Sequence, residues 1–172
     1  MTKIKVAING FGRIGRNFFR QALQSNLLDI VAINDLTDVK TLAHLLKYDS
    51  THGVLKNQIS VKDLQIVIDS KTIPVFSCPN PQELSWGELN VDVVLESTGR
   101  FLKNEQALSH VIAGAKKVII SAPSPDAKTM TSDLGAYSII SMVIPTSQSP
   151  FEEPSDLLMK GFSLTSKPIA LK

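Results

Sequence analysis

The chain has 172 residues, 43% of them hydrophobic and 20% charged, which suits one globular domain and excludes a disordered tail-like protein. A formal net charge of +2, with its densest basic cluster the short Ala115-Lys116-Lys117, argues against a nucleic-acid or membrane surface; that cluster reads as a solvated strand entry. The single cysteine, Cys78, excludes an intrachain disulfide and a multi-cysteine metal site, and no stretch approaches the roughly 20 apolar residues of a membrane helix. The opening lacks the pattern of a signal peptide, so the expected location is cytoplasmic.

In chain order, residues 3–8 (KIKVAI) read as a strand. From Gly12 to about Ser25 the period changes to helical, with Ile14, Phe18, Phe19, Ala22 and Leu23 as the apolar stripe. Residues 29–33 (DIVAI) are a second strand. Asp38 can cap a second helix that turns Val39, Leu42, Ala43 and Leu46 inward. Strand, helix, strand, helix within the first fifty residues predicts a parallel sheet with covering helices.

The middle has another texture. LQIVID (64–69) and KTIPVF (71–76) flank a polar turn and predict an antiparallel hairpin, with Pro74 placing the second arm at a sheet edge. CPNPQ (78–82) is a loop, and DVVLES (92–97) is a buried strand. Asn104 can cap a helix with Leu108, Val111, Ile112 and Ala115 inward and His110 outward. KKVIISA (116–122) is one more strand. Residues 123–133 are polar and turn-rich, 137–144 (YSIISMVI) can form a strand, and 145–172 carry prolines without a period. The expected organisation is a domain over 1–145 and an irregular tail over 146–172.

The strand-to-helix boundary carries the chemistry. NGFGRIGR (9–16) spaces Gly10, Gly12 and Gly15 as G-x-G-x-x-G. One glycine makes the turn off the strand, the next admits a pyrophosphate, and the third lets helix and strand pack closely. The helix N-terminus then offers free N–H groups and partial positive charge to the phosphates. The motif alone also fits a plain tight turn. Its place inside a strand–helix–strand unit favours a dinucleotide. Asp35 lies 20 positions beyond Gly15, where an acid would bond the adenosine ribose and repel a 2′-phosphate, favouring NAD over NADP. The alternative for Asp35 is an ordinary residue on the approach to the helix.

Five blocks in order, INGFGRIGR (8–16), AIND (32–35), KYDSTHG (47–53), WGELNVDVVLESTG (86–99) and AGAKKVIISAPSPD (113–126), resemble the N-terminal half of the phosphorylating glyceraldehyde-3-phosphate dehydrogenases. The resemblance runs from Lys3 to about Thr129. It implies an α/β fold of Rossmann type, a doubly wound and mostly parallel sheet with the antiparallel hairpin inserted between its halves. It implies NAD as cofactor and a role in glycolytic aldehyde oxidation. Gly10, Phe11, Gly12, Arg13 and Ile14 would lie along the pyrophosphate, and Asn34 and Asp35 would hold the adenosine half. Ser97, Thr98 and Gly99 would line the cleft, and Ser121 would lie near the nicotinamide ribose. Without the family, the preferred reading of Thr98-Gly99 is an ordinary strand-ending turn.

Two departures matter. The family often places a basic residue in the loop near the adenine, where this chain reads Ser77-Cys78-Pro79-Asn80-Pro81. The family's S-C-T-T-N motif with its nucleophilic cysteine, and the later histidine, do not occur. The break after about Thr129 implies a truncated or frameshifted reading frame without the catalytic domain. No catalytic residue is assigned: Cys78 reads as a bystander thiol, and His44, His52 and His110 do not pair with it. The expected function is an NAD-binding domain not competent alone. The alternatives are a binding or interaction module, partnered by a second copy or a full-length relative, and a non-functional fragment.

Overall fold

The computed structural model describes residues 2–125, together with the backbone of two further strands, 128–131 and 139–143. The expected boundary near 145 and the irregular segment beyond it lie outside the described residues.

Strand β1 (Ile4–Asn9) leads into helix α1 (Arg13–Ala22), strand β2 (Leu28–Asn34) and helix α2 (Val39–Lys47). A small antiparallel pair, β3 (Tyr48–Asp49) and β4 (Gly53–Val54), forms a separate two-stranded sheet. Next come β5 (Ile59–Lys62), β6 (Gln65–Ile68) and β7 (Lys71–Phe76), then a 3-10 turn at Pro81–Glu83. Strand β8 (Val93–Glu96), helix α3 (Asn104–Ile112) and strand β9 (Lys117–Ile120) complete the second half, followed by β10 (Lys128–Thr131) and β11 (Ile139–Val143).

The main sheet runs β10-β11-β9-β8-β1-β2-β7-β6-β5. Its centre, β9-β8-β1-β2-β7, is parallel, and antiparallel strands extend it at both ends. This is the doubly wound Rossmann-type arrangement expected. The chain leaves β1 in one direction to β2 and β7, and later returns on the other side of β1 with β8 and β9. The switch point therefore lies between β1 and β8, where such sheets open a crevice at their carboxyl ends.

Alternation along the strands sorts the core into two faces. Val6 and Ile8 of β1, with Val93 and Leu95 of β8, join Phe18 and Phe19 of α1 and Leu42 and Leu46 of α2. Ala7 and Val94 join Trp86, Val91, Ala107 of α3 and Ile120 on the opposite face. The small Ala7 and Ala32 leave room there for the Trp86 ring, which is fully buried and meets Phe76 edge-on at 6.0 Å.

Several expectations need correction. Helix α1 is shorter than predicted because its end tightens: Gln24 N–H donates to Gln21 O and Ser25 N–H to Ala22 O. Ile14 is 53% exposed, since it sits in the first turn beyond the stripe, while Arg20 is buried in its place. Pro74 is not at an edge, because β7 pairs with β6 on one side and β2 on the other. Val75 N–H donates to Leu64 O, so ladder alternation makes Gln65–Pro74 a non-hydrogen-bonded pair. The pairing with β2 starts only at Val75. No partner therefore asks for the missing N–H.

Helix α3 packs Leu108 and Val111 inward as predicted, with Ala115 buried just beyond it, but differs at two positions. Ile112 is 70% exposed and His110 is fully buried, because His110 has polar partners inside. The cap is Lys103, whose N–H donates to Gln106 Oε1 at 3.2 Å, rather than Asn104. Within the turn-rich stretch 123–133, residues Lys128–Thr131 form β10 against β11, whose Ile139–Val143 falls inside the expected 137–144 strand. The Asp38 cap of α2 is as expected, with Thr41 N–H donating to Asp38 Oδ1 at 3.0 Å.

Candidate dinucleotide cleft

At the switch point the glycine turn after β1 meets the turn after β8. Ser97 N–H donates to Asn9 O at 2.8 Å, and Ser97 Oγ donates to Gly10 O at 2.7 Å. The three glycines have separate reasons. Gly10 has φ +90°, and a Cβ there would lie 2.6 Å from Thr98 N. A Cβ on Gly15 would lie 2.2 Å from Gly10 O. Both are therefore required by the protein's own packing. Gly12 differs: a Cβ there would meet nothing within 4 Å. It opens α1, no side chain caps that helix, and its first turn carries no acid. The result is open space beside uncapped N–H groups, which suits an anion.

A cavity of about 240 Å³ lies over this edge. Asn9, Gly10 and Gly12 line it from the first turn, and Asn34, Asp35 and Leu36 from the end of β2. Cys78 and Pro79 line it from the next loop, and Ser97, Thr98, Arg100 and Phe101 from the turn after β8. Arg100 is its one cationic lining residue and Asp35 its one anionic one.

The structure thus brings Gly10, Gly12, Asn34, Asp35, Ser97 and Thr98 together. Phe11 is in the glycine turn, but its ring points into the core, edge-on to Phe19 at 5.5 Å. Arg13 and Ile14 open α1 with exposed side chains and do not line the cavity. Gly99 (φ +71°) lies in the turn between two lining residues. Ser121 follows β9 on the same sheet edge, its N–H donating to Glu96 O, outside the lining.

Asp35 also builds the site. Its Oδ2 accepts the Phe11 N–H at 2.6 Å and its Oδ1 the Thr37 N–H at 2.9 Å. Each oxygen retains a second acceptor position. The carboxylate therefore fixes the glycine turn while still facing the cleft. The Asn34 amide is more fully committed, donating to Asn9 Oδ1 and Cys78 O and accepting from Cys78 N–H.

Sequence reasoning missed Asn9, Leu36, Arg100 and Phe101 in the lining. It also missed the buried Glu96, which accepts the Thr98 N–H at 2.8 Å. The signal available for Asn9 and Glu96 was a polar residue ending a strand that is otherwise apolar.

Nothing resembling a nucleophile and base assembles here. Cys78 Sγ lies 3.1 Å from Asn80 O and 3.9 Å from Glu83 Oε2. The histidines are engaged elsewhere: His44 against the Tyr48 ring, His52 with Asp49, and His110 with Trp86 and Glu96. Among the described residues, no three His, Cys, Asp or Glu side chains gather as a metal site. No helix there is long and apolar enough to cross a membrane.

Comparison with known families matches residues 4–104 to "Glyceraldehyde 3-phosphate dehydrogenase, NAD binding domain". The chain belongs to this family. NAD is the cofactor of the fold that these residues build. Similar curated relatives include glyceraldehyde-3-phosphate dehydrogenases of several bacteria. That of Geobacillus stearothermophilus is 59% identical over 121 residues, 70% of this chain and 36% of the relative. That of Clostridium pasteurianum is 57% identical over 127 residues, 73% of this chain and 38% of the relative. That of Mycoplasma pneumoniae is 57% identical over 121 residues. The chain spans little more than a third of the length of these relatives.

Proposed function

We propose that this chain holds NAD in the cleft between the β1 and β8 turns, serving an oxidoreductase that acts on glyceraldehyde 3-phosphate. Gly12 and the first turn of α1 receive the pyrophosphate, Asp35 the adenosine ribose, and Ser97 and Thr98 the opposite wall. NAD supplies the hydride acceptor. Residues 4–104 contribute its binding, its orientation and the choice of NAD over NADP. The nucleophile and the aldehyde and phosphate sites are not among the groups gathered at this cleft, so the chain by itself binds without turnover. The setting is cytoplasmic, which suits a single free thiol. Pairing with a second copy or a full-length relative belongs to the same reading, through exposed apolar side chains such as Tyr48 and Val54.

The observation that carries this reading is the division among the glycines. Gly10 and Gly15 are explained by internal packing, and Gly12 is not. A Gly12→Val chain has room for its side chain, so stability should change by no more than about 1 kcal/mol. Its NAD affinity should fall at least about tenfold, measured by calorimetry alongside thermal melting. Equal NAD affinity in the two proteins removes the pyrophosphate from this turn.

A further inference from the structure

Three adjacent strands end on buried polar residues beneath the cleft. Glu96 ends β8, Asn9 ends β1 and Asn34 ends β2. The sheet register sets Asn9 opposite Glu96 on one side and opposite Asn34 on the other. All three are buried. Their side chains bond in series: Asn34 Nδ2 donates to Asn9 Oδ1 at 2.7 Å, and Asn9 Nδ2 donates to Glu96 Oε2 at 2.5 Å.

Donor-only groups set the direction of this series at both ends. At one end, the Cys78 N–H donates to Asn34 Oδ1 at 2.9 Å. That holds the Asn34 nitrogen toward Asn9, and so the Asn9 nitrogen toward Glu96. At the other end, the Trp86 Nε1–H donates to His110 Nδ1 at 3.0 Å. An indole N–H can only donate, so His110 carries its proton on Nε2. That N–H donates to Glu96 Oε2 at 3.0 Å. The remaining oxygen, Oε1, accepts the Thr98 N–H at 2.8 Å and the Thr98 hydroxyl. Donors therefore reach Glu96 from every side. A carboxylate satisfies them all, and an amide of the same shape cannot.

We infer that the Glu96–Asn9–Asn34 ladder is a positioning device that sets the three loops of the cleft relative to one another, with Glu96 as its fixed acceptor. Each member governs a different loop. Asn9 leads directly into Gly10, Asn34 grips the Cys78 backbone from both sides, and Glu96 grips Thr98. Cys78, Thr98 and Gly10 all line the cavity. Buried polar groups are costly unless fully paired, and hydrogen bonds in series reinforce one another in a low-dielectric interior. A shift at one loop is therefore resisted at the other two. The consequence for NAD rests on the function proposed above; the coupling between loops does not.

The test uses the full chain, with Glu96→Gln and Asn34→Ala examined separately. Amide hydrogen exchange is followed by NMR at Cys78 and Thr98, relative to Ile8 in the sheet centre, and NAD binding is followed by calorimetry. In Glu96→Gln the Cys78 amide should exchange about tenfold faster or more, although Cys78 does not touch residue 96. In Asn34→Ala the Thr98 amide should respond likewise. NAD affinity should fall about tenfold or more in Glu96→Gln. Exchange that changes only at each variant's own partner overturns the ladder. Native NAD affinity in a variant whose distant amide has loosened overturns the positioning role. If Glu96→Gln does not fold, Asn34→Ala read at Thr98 and at the single Trp86 indole resonance decides the matter. An unaltered chain that binds no NAD would sink the proposed function, while the exchange measurements would still decide the ladder.

Discussion

The two faces of the central sheet bury charge in opposite ways. On the face covered by α1 and α2, the buried ion is the Arg20 guanidinium. It donates to Leu46 O at 2.6 Å, Lys47 O at 3.2 Å and Gly53 O at 3.1 Å. Its partners are the last carbonyls of α2 and the tip of the β3–β4 pair, where a cation complements the helix dipole. On the face covered by α3, the buried ion is Glu96, and its partners are side chains and a backbone N–H at the cleft. One charge closes a helix end; the other organises a binding edge. The core cluster around Arg20 on the first face is apolar packing, whereas the second face interleaves apolar packing with Trp86, His110, Asn9 and Asn34.

The sharpest way to break this comparison is to remove apolar volume from the first face. Phe19 of α1 is fully buried in the core of this face, edge-on to Phe11. Phe19→Ala should cost about 3–5 kcal/mol, read from urea denaturation. A loss much smaller than this would mean that the face collapses around the gap and is not tightly packed.

The second test exchanges polar for apolar on the other face. His110→Leu adds hydrophobicity at a fully buried position, and a face held by apolar packing alone would accept it. It leaves the Trp86 indole N–H without its acceptor and takes away one of the two donors on Glu96 Oε2, which Asn9 Nδ2 still reaches. The orphaned indole N–H should cost about 1–3 kcal/mol. A His110→Leu chain as stable as the original would show that the polar partners on this face contribute nothing net, and that the faces differ in composition only.

The same contrast decides what could be read from the sequence. Where burial is purely apolar, spacing suffices: Phe18, Phe19, Ala22, Leu42 and Leu46 are found by their period. Motif and strand order point to the glycine turn and Asp35, while the Ser97-Thr98 wall enters only through the family resemblance; the geometry sets residues of all three around one cavity. The α3 stripe held at Leu108, Val111 and Ala115 but misplaced two residues, because hydropathy sends His110 outward and Ile112 inward. The opposite arrangement holds once Trp86 and Glu96 supply partners distant in sequence. Arg20 was missed for the same reason, since backbone carbonyls that accept from a guanidinium leave no trace in residue type. Pro74 misled because the edge rule concerns the N–H, and one unpaired position inside a sheet serves equally well. Asn9 and Glu96 could be suspected only as polar endings on apolar strands.

The smallest expected effect lies where the polar thread of the first face reaches the surface. Arg20 holds Gly53 O, and the turn leading to Gly53 is organised by Asp49. The Asp49 carboxylate accepts the His52 N–H at 2.7 Å and the Thr51 N–H at 2.9 Å. These backbone N–H groups, with a further contribution from the His52 ring, lower its pKa from the ordinary 3.8 to about 2. A carboxyl whose pKa is lower in the folded chain binds protons more readily when unfolded. Its stabilising contribution is therefore complete above the unfolded value and declines as pH falls toward the folded one. The turn should hold at neutral pH and loosen between about pH 4 and pH 2. The carboxyl carbon resonance of Asp49 should titrate with a midpoint near 2, while the Thr51 and His52 amide resonances move with it. The Ala107 amide, in α3 on the other face, should not follow that titration. A midpoint near 4 with static Thr51 and His52 amides would release Asp49 from the turn. An Ala107 amide that tracks the same midpoint would show that the two faces are not independent.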